Sequence, residues 1–159
     1  MGTVRLHDLI YAMEPEAYDE WAAYGSSKTA NIWFTNYIDR HFASEGIVGV
    51  AVHPGGIQTE LYRHLTPQSM DGIDMDGFAP LFKSHAQGAA TTVWAAVDGY
   101  FEGKNGGQYL ADVGETAEDP DGLGFDSPKA IGHVKHAYDE AGEELLWKLS
   151  NSLVGYEET

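Results

Sequence analysis

The sequence predicts an α/β chain: the edge of a parallel sheet, about two strands wide, with three main helices. Three observations lead there. Apolar residues recur at helical spacing through Ala30, Phe34, Tyr37, Ile38 and Phe42. The run "IVGVAVHP" at 47–54 is β-branched and almost uncharged. A second helix and a short strand then follow it. A strand that reaches the next strand through a helix makes a crossover, and the two strands run parallel.

Taken in order, residues 1–21 read as an irregular, acidic lead-in. A helix is expected from about Tyr24 to Ala43, with Gly46 as its stop. Residues 47–54, between Gly46 and Pro54, read as a strand buried on both faces. "GGIQT" leaves it as a loop. Residues 60–84 read as an unusually apolar loop, with Leu61, Tyr62, Leu65, Met70, Ile73, Met75, Phe78, Leu81 and Phe82. Ser84 is placed to cap a helix over 85–97, stopped by Gly99. "GGQYLAD" at 106–112 reads as a strand after a glycine turn. An acidic loop follows, then a last helix over about 137–153 with Leu145, Leu146, Leu149 and Leu153 on one side. No internal repeat is present. The chain is expected to be one partial domain, 1–159. It divides into the lead-in (1–21), a central unit (22–112), and the acidic loop with the last helix (113–159).

Composition narrows the function. The chain has 159 residues, 43% hydrophobic and 12% aromatic, which is a globular composition with a core. It has no cysteine, which excludes disulfides, thiolate metal sites and cysteine nucleophiles and points to a cytoplasmic setting. The formal charge of −16 repels phosphate backbones and anionic lipid, so no nucleic-acid partner is expected. No apolar run approaches the roughly 18 residues of a membrane span. "MGTVRLHDLI" lacks the apolar core of a secretory leader.

The chemistry concentrates in "AYGSSKTAN". Tyr24 and Lys28 stand four apart and share a helix face. A free tyrosine, with a pKa near about 10, exchanges protons poorly at neutral pH. A neighbouring ammonium favours phenolate and brings such a group toward the working range. The spacing alone is weak evidence, because Tyr100 and Lys104 repeat it in "GYFEGK". Gly103 lies inside that second pair, so its side chains need not meet. Context separates the two pairs. The Tyr24 helix leads into a strand that ends in "HPGGIQT", and open α/β sheets bind ligands beyond the carboxyl ends of their strands. A Pro-Gly-Gly turn there admits close backbone approach, and Thr59 adds a hydroxyl.

At this point the chain resembles the short-chain dehydrogenase/reductase family. The segments "YGSSK" with "TAN", "VAVHPGGIQTEL", "GAATTVWAA" and "GGQYL" stand in the family's order and spacing, from about Trp21 to Asp112. "LWKLSNSLVG" near the end also fits. The flavour is that of the retinol-dehydrogenase-like branch. The resemblance implies the C-terminal part of a Rossmann-like, doubly wound fold that works with NAD or NADP. Tyr24 is then the proton donor or acceptor. Lys28 assists it and bonds the nicotinamide ribose. Pro54, Gly55, Ile57 and Thr59 line the nicotinamide, and 60–84 forms a lid over a hydrophobic alcohol, aldehyde or ketone. The family's helix pairing also allows a homo-oligomer.

The sequence departs from the family in one large respect. No Gly-rich strand–turn–helix opens it, and the strand with the catalytic serine is absent; Ser26 and Ser27 lie within the tyrosine motif and do not replace it. The chain is therefore expected to be the C-terminal half of such an enzyme, or a truncated remnant that binds a partner. The seven histidines show no metal spacing. "DGIDMDG" fails as a calcium loop, because Gly72 and Lys83 fall where acids are needed. "GKNGG" fails as a phosphate loop. His53 is expected to pack rather than react.

Overall fold

The computed structural model describes residues 3–66, 68, 75–119 and 132–156. Helix α1 spans Glu20–Phe42 and starts earlier than the apolar spacing suggests. The reason is local: the Asp19 carboxylate accepts the Ala22 N–H at 2.8 Å and caps the helix. Trp21 is therefore helical. The stop at Gly46 holds, after one 3-10 turn, with φ at +83°.

The inner face of α1 is partly polar. Trp33 and Tyr37 are buried on it, and so are Thr29, Asn36 and Asp39. Helix α4, Glu140–Val154, packs against this face, capped by Asp139. Glu143 on α4 is 1% exposed. It accepts from Asn36 Nδ2 at 3.0 Å and pairs with the Arg40 guanidinium. The Trp33 indole N–H donates to the His136 carbonyl at 2.9 Å. Val4, Trp33 and Leu146 form the core beside them, and the Trp147 ring stacks on Tyr37 at 4.3 Å. The expected leucine side of the last helix is therefore only partly right. Leu146 is buried, while Leu145 and Leu153 are 56% and 70% exposed. The contact face is built around Gly142, Glu143 and Leu146, which turns Leu145 to the flank, and Leu153 lies in the last turn.

The sheet is small and mixed. Strand β1, Ala51–His53, pairs in parallel with β2, Tyr109–Ala111, with Ala51 opposite Tyr109 and His53 opposite Ala111. A third strand, β3 at Gly114–Glu115, pairs antiparallel to β2 and was not expected. β2 is central, and its Leu110 is 0% exposed. β1 corrects the expectation of an eight-residue strand buried on both faces. It has three residues, none fully buried, and Ile47 and Val48 are each 46% exposed. Among the described residues it has a partner on one side only. Helix α3, His85–Val97, makes the crossover with the expected bounds. Ser84 and Gln87 exchange side-chain and backbone bonds in a full capping box.

The 60–84 segment carries a 3-10 turn at Glu60–His64, the short helix α2 at Met75–Phe78 and another turn at Ala79–Leu81. Leu61 and Leu81 are exposed, and Tyr62, Leu65, Phe78 and Phe82 are half-buried. Met70, Ile73 and most of the acidic stretch after Asp119 lie outside the described residues.

Helix and sheet meet at Asp39. Its carboxylate accepts the Gly106 N–H at 2.8 Å and the Gly49 N–H at 3.3 Å, while the Gly107 N–H donates to the Gly49 carbonyl at 2.7 Å. The approach needs bare backbone, since a Cβ on Gly106 would lie 2.2 Å from Asp39 Oδ1 and from Gly49 O.

The contacts that Glu143 and Glu144 of α4 make with α1 differ sharply in burial: Glu143, paired with Arg40, is 1% exposed, while Glu144, near Arg40 and His41, is 38% exposed. Arg40→Met strands the Glu143 carboxylate and is expected to lower the free energy of urea unfolding by about 3 kcal/mol. Glu144→Gln, which removes the exposed contacts with His41 and Arg40, is expected to cost less than about 1 kcal/mol. Equal effects of the two would contradict this account of the interface.

Candidate active site

Tyr24 lies in the second turn of α1 and is 41% exposed. The Lys28 ammonium stands 5.2 Å from the centroid of its ring, so the i, i+4 pair does meet. Trp21, one turn earlier, meets the same ring edge-on at 6.3 Å. The Ser26 and Ser27 hydroxyls are turned to the backbone, donating to the Thr3 and Tyr24 carbonyls at 2.7 Å each.

Two further phenols lie within electrostatic reach of Tyr24. Burial, and then Tyr24 itself, push the Tyr62 phenol up. Tyr109 on β2 is pushed up to about 12 by burial first, then by Tyr24 and Tyr138. Both keep their O–H at neutral pH. Of the three, Tyr24 is the one with an ammonium beside its ring. The Tyr109 ring stands edge-on to His53, at the end of β1, at 6.3 Å.

Pro54, Gly55, Ile57 and Thr59 leave the carboxyl end of β1 as one turn. Gly55 has φ +85°, the left-handed region, and its N–H donates to His53 Nδ1 at 3.1 Å. Phe82 covers Gly56, at 3.3 Å from where a Cβ would stand, and meets Tyr62 edge-on at 6.0 Å. Ile57 bridges to Lys83 in parallel and fills the space beside Gly88 on α3. Thr59 accepts the Leu61 N–H at 3.3 Å, so its hydroxyl caps the following turn. His53 is exposed at the end of β1; desolvation first, then the Lys83 ammonium, lower its pKa, with Asp112 acting the other way.

The reading of the second tyrosine–lysine pair needs correction. Lys104 sits 3.1 Å over the Tyr100 ring, closer than Lys28 to Tyr24. The 3-10 turn at Gly99–Phe101 bends the chain back and brings the two together despite Gly103. Location still separates the pairs. α3 begins beside the Pro-Gly-Gly turn, and its thirteen residues carry the chain about 20 Å away before Tyr100. The Tyr100 hydroxyl donates to Glu115 at 3.0 Å.

Lys83, Tyr109 and Asp112 were not singled out from the sequence. Asp112 closes "GGQYLAD" at the carboxyl end of β2, the position at which open sheets place function, and that signal was available. Lys83 offered only a lone charge before a helix cap. Among the described residues no cluster of histidine and carboxylate side chains is arranged to hold a metal.

No family model matches the chain. It is 43% identical over 142 residues to a short-chain dehydrogenase/reductase of Penicillium roqueforti, covering 89% of this chain and 40% of that protein. It is 29% identical to retinol dehydrogenase 12 of Mus musculus, covering 98% of this chain and 42% of the mouse protein. A crystal structure of an uncharacterised protein from Mycobacterium paratuberculosis superposes with TM-score 0.59 at 25% identity, over 98% of this chain and 46% of that one. The chain thus spans less than half the length of these relatives.

Two expectations follow from the geometry. Gly55→Ala forces a side chain into the left-handed region beside the Lys83 stem, and a loss of about 1–3 kcal/mol in chemical unfolding is expected. The second concerns pH. His53, His133 and His136 all have pKa values lowered chiefly by desolvation. Each binds fewer protons folded than unfolded, so stability rises with pH up to about 6.5 and is lost below it. The urea midpoint is expected to fall between pH 7 and pH 5, and less steeply in His53→Gln. A midpoint flat over that range would contradict the assignment.

Proposed function

The chain belongs to the short-chain dehydrogenase/reductase family, and we propose that it carries the proton-transfer half of an oxidoreductase site. The substrate class is a hydrophobic alcohol and its aldehyde or ketone. The single observation that carries the proposal is the Lys28 ammonium 5.2 Å from the centroid of the Tyr24 ring, on the helix that packs against the strand leading into the Pro-Gly-Gly turn. Homology to named oxidoreductases over 89% of the chain supports it.

The residues present suit the nicotinamide-ribose end of NAD or NADP. Lys28 supplies an ammonium donor, Tyr24 a half-exposed phenol, and Gly55 to Ile57 a backbone turn with no side chain at its tightest point. The described residues hold no Gly-rich strand–turn–helix for the pyrophosphate. When bound, the cofactor supplies the hydride acceptor or donor. Tyr24 gives its proton to a carbonyl oxygen in reduction, or takes the hydroxyl proton in oxidation. Lys28 stabilises the phenolate between the two. The half-buried faces of Tyr62 and Phe82 exclude water from one side and favour an apolar substrate.

A second reading is a non-catalytic module that associates through uncovered apolar surface, a second copy included. The exposed Ile47 and Val48 before a strand paired on one side favour it. No helix among the described residues is long and apolar enough to cross a membrane. With no cysteine in the sequence, we propose a cytoplasmic setting.

The test is titration of the full chain with NADH and NADPH, followed by tryptophan and cofactor fluorescence, with a hydrophobic aldehyde as probe. Saturable binding with turnover that Tyr24→Phe lowers by about 10²–10⁴-fold while binding persists supports the oxidoreductase reading. No binding at millimolar cofactor, with a concentration-dependent increase in mass on sedimentation, supports the second reading instead.

A further inference from the structure

The Pro-Gly-Gly turn is gripped by a residue from outside it. Lys83, the last residue of the 60–84 segment before the Ser84 cap, touches it in three ways. Its N–H donates to the Gly56 carbonyl at 2.8 Å. Its stem crosses Gly55, with Cδ and Cε each 2.7 Å from where a Cβ would stand. Its ammonium pairs with the Asp112 carboxylate at the end of β2. Asp112 itself is held at φ +50°, in the left-handed region, directly after the strand. From its other side the turn is held by His53 Nδ1 and by Ile57 seated against α3.

We propose that the Lys83–Asp112 pair is a latch that positions the Pro-Gly-Gly turn, tying the end of the lid segment to the carboxyl end of β2 across Gly55. Lys83 and Asp112 act through the backbone of Gly55 to Ile57; they are positioning residues. The physical logic is that Gly55 has no side chain to define the turn. A glycine at positive φ is soft, and a cation laid over it from a neighbouring element supplies the missing constraint. The ammonium is drawn over the turn by a carboxylate on the opposite side, so the stem cannot swing to solvent without breaking the pair. The pair's value for catalysis rests on the proposed function; its effect on the turn does not, which lets the two fail separately.

The experiment uses the full chain without cofactor, by amide exchange and histidine titration in NMR. Lys83→Met and Asp112→Asn are each expected to speed exchange of the amides of Gly55, Ile57 and residue 83 by about two- to five-fold, the range for a partly exposed ion pair. The amides of Leu110 and Leu146 are the global control and should not change. Asparagine tolerates the left-handed backbone at 112, so that variant is not confounded by strain. The His53 titration separates a latch from general loosening. Lys83→Met removes a cation and should raise the His53 pKa, whereas Asp112→Asn removes an anion and should lower it. Lys83→Arg should restore both exchange and titration. Unchanged exchange at the turn in both charge-removing variants, or faster exchange at Leu110 and Leu146 as well, overturns the latch. If the latch holds and NADH still fails to bind, the proposed function fails and the latch stands as a structural device.

Discussion

The structure hangs on one carboxylate. Asp39, 8% exposed, takes two backbone amides from two chain segments, Gly49 just before β1 and Gly106 just before β2. Both segments lead into parallel strands, and in each the Asp39 carboxylate is the acceptor of the amide. A buried N–H left without a partner costs about 1–3 kcal/mol, so Asp39 does more than decorate the joint. It also fixes the angle between α1 and the sheet. Tyr24 lies fifteen residues back along the same helix, about 22 Å from Asp39. A tilt of about 3° at that joint therefore moves the Tyr24 end by about 1 Å, a displacement that reacting geometries do not tolerate.

A second constraint holds α1 from the other side. Glu143, Asn36 and Arg40 make a polar contact inside what would otherwise be an ordinary apolar helix pair, with Trp33 and Leu146 packed around it. Such contacts contribute little net stability but penalise every rotated or shifted docking, since each leaves a charge unpaired in the interface. The two polar anchors, Asp39 toward the sheet and Asn36–Arg40 toward α4, lie on neighbouring turns of one helix. They fix its rotation as well as its tilt. That rotation brings Tyr24 within electrostatic reach of Tyr62 and Tyr109.

What could be read in the sequence follows from how local each cause is. Helix α3 was legible to the residue, because Ser84 and Gln87 cap it within its own first turn. The parallel β1–β2 pairing was legible from the order of strand, helix and strand. The start of α1 was misplaced because apolar spacing was weighed above the cap at Asp19. β1 was overdrawn, since β-branched composition reports what a strand can bury, and only neighbours in space decide what it does bury. Asp39 and Glu143 were invisible for the same reason. A carboxylate reads as surface in a sequence, and its burial depends on partners 67 and 107 positions away. The Pro-Gly-Gly turn was found, but its neighbours Lys83 and Asp112 were not, because they join it only through the fold.

The two tyrosine–lysine pairs sharpen this point. Judged by the pair alone, Tyr100–Lys104 is the better candidate, since its cation lies 3.1 Å from the ring centroid against 5.2 Å for Lys28 and Tyr24. A cation on a ring face contributes modestly whatever the tyrosine does. Proton transfer also needs a place where an oxygen can sit between the phenol and a hydride carrier. Tyr100 instead commits its hydroxyl to Glu115 and sits among Trp94 and Phe101 at the far end of α3. Tyr24 stands on the helix that packs against β1, the strand that runs into the glycine turn. Under the proposed function Tyr24 is the reactive tyrosine of the two because of its place in the fold, not because of the distance to its cation.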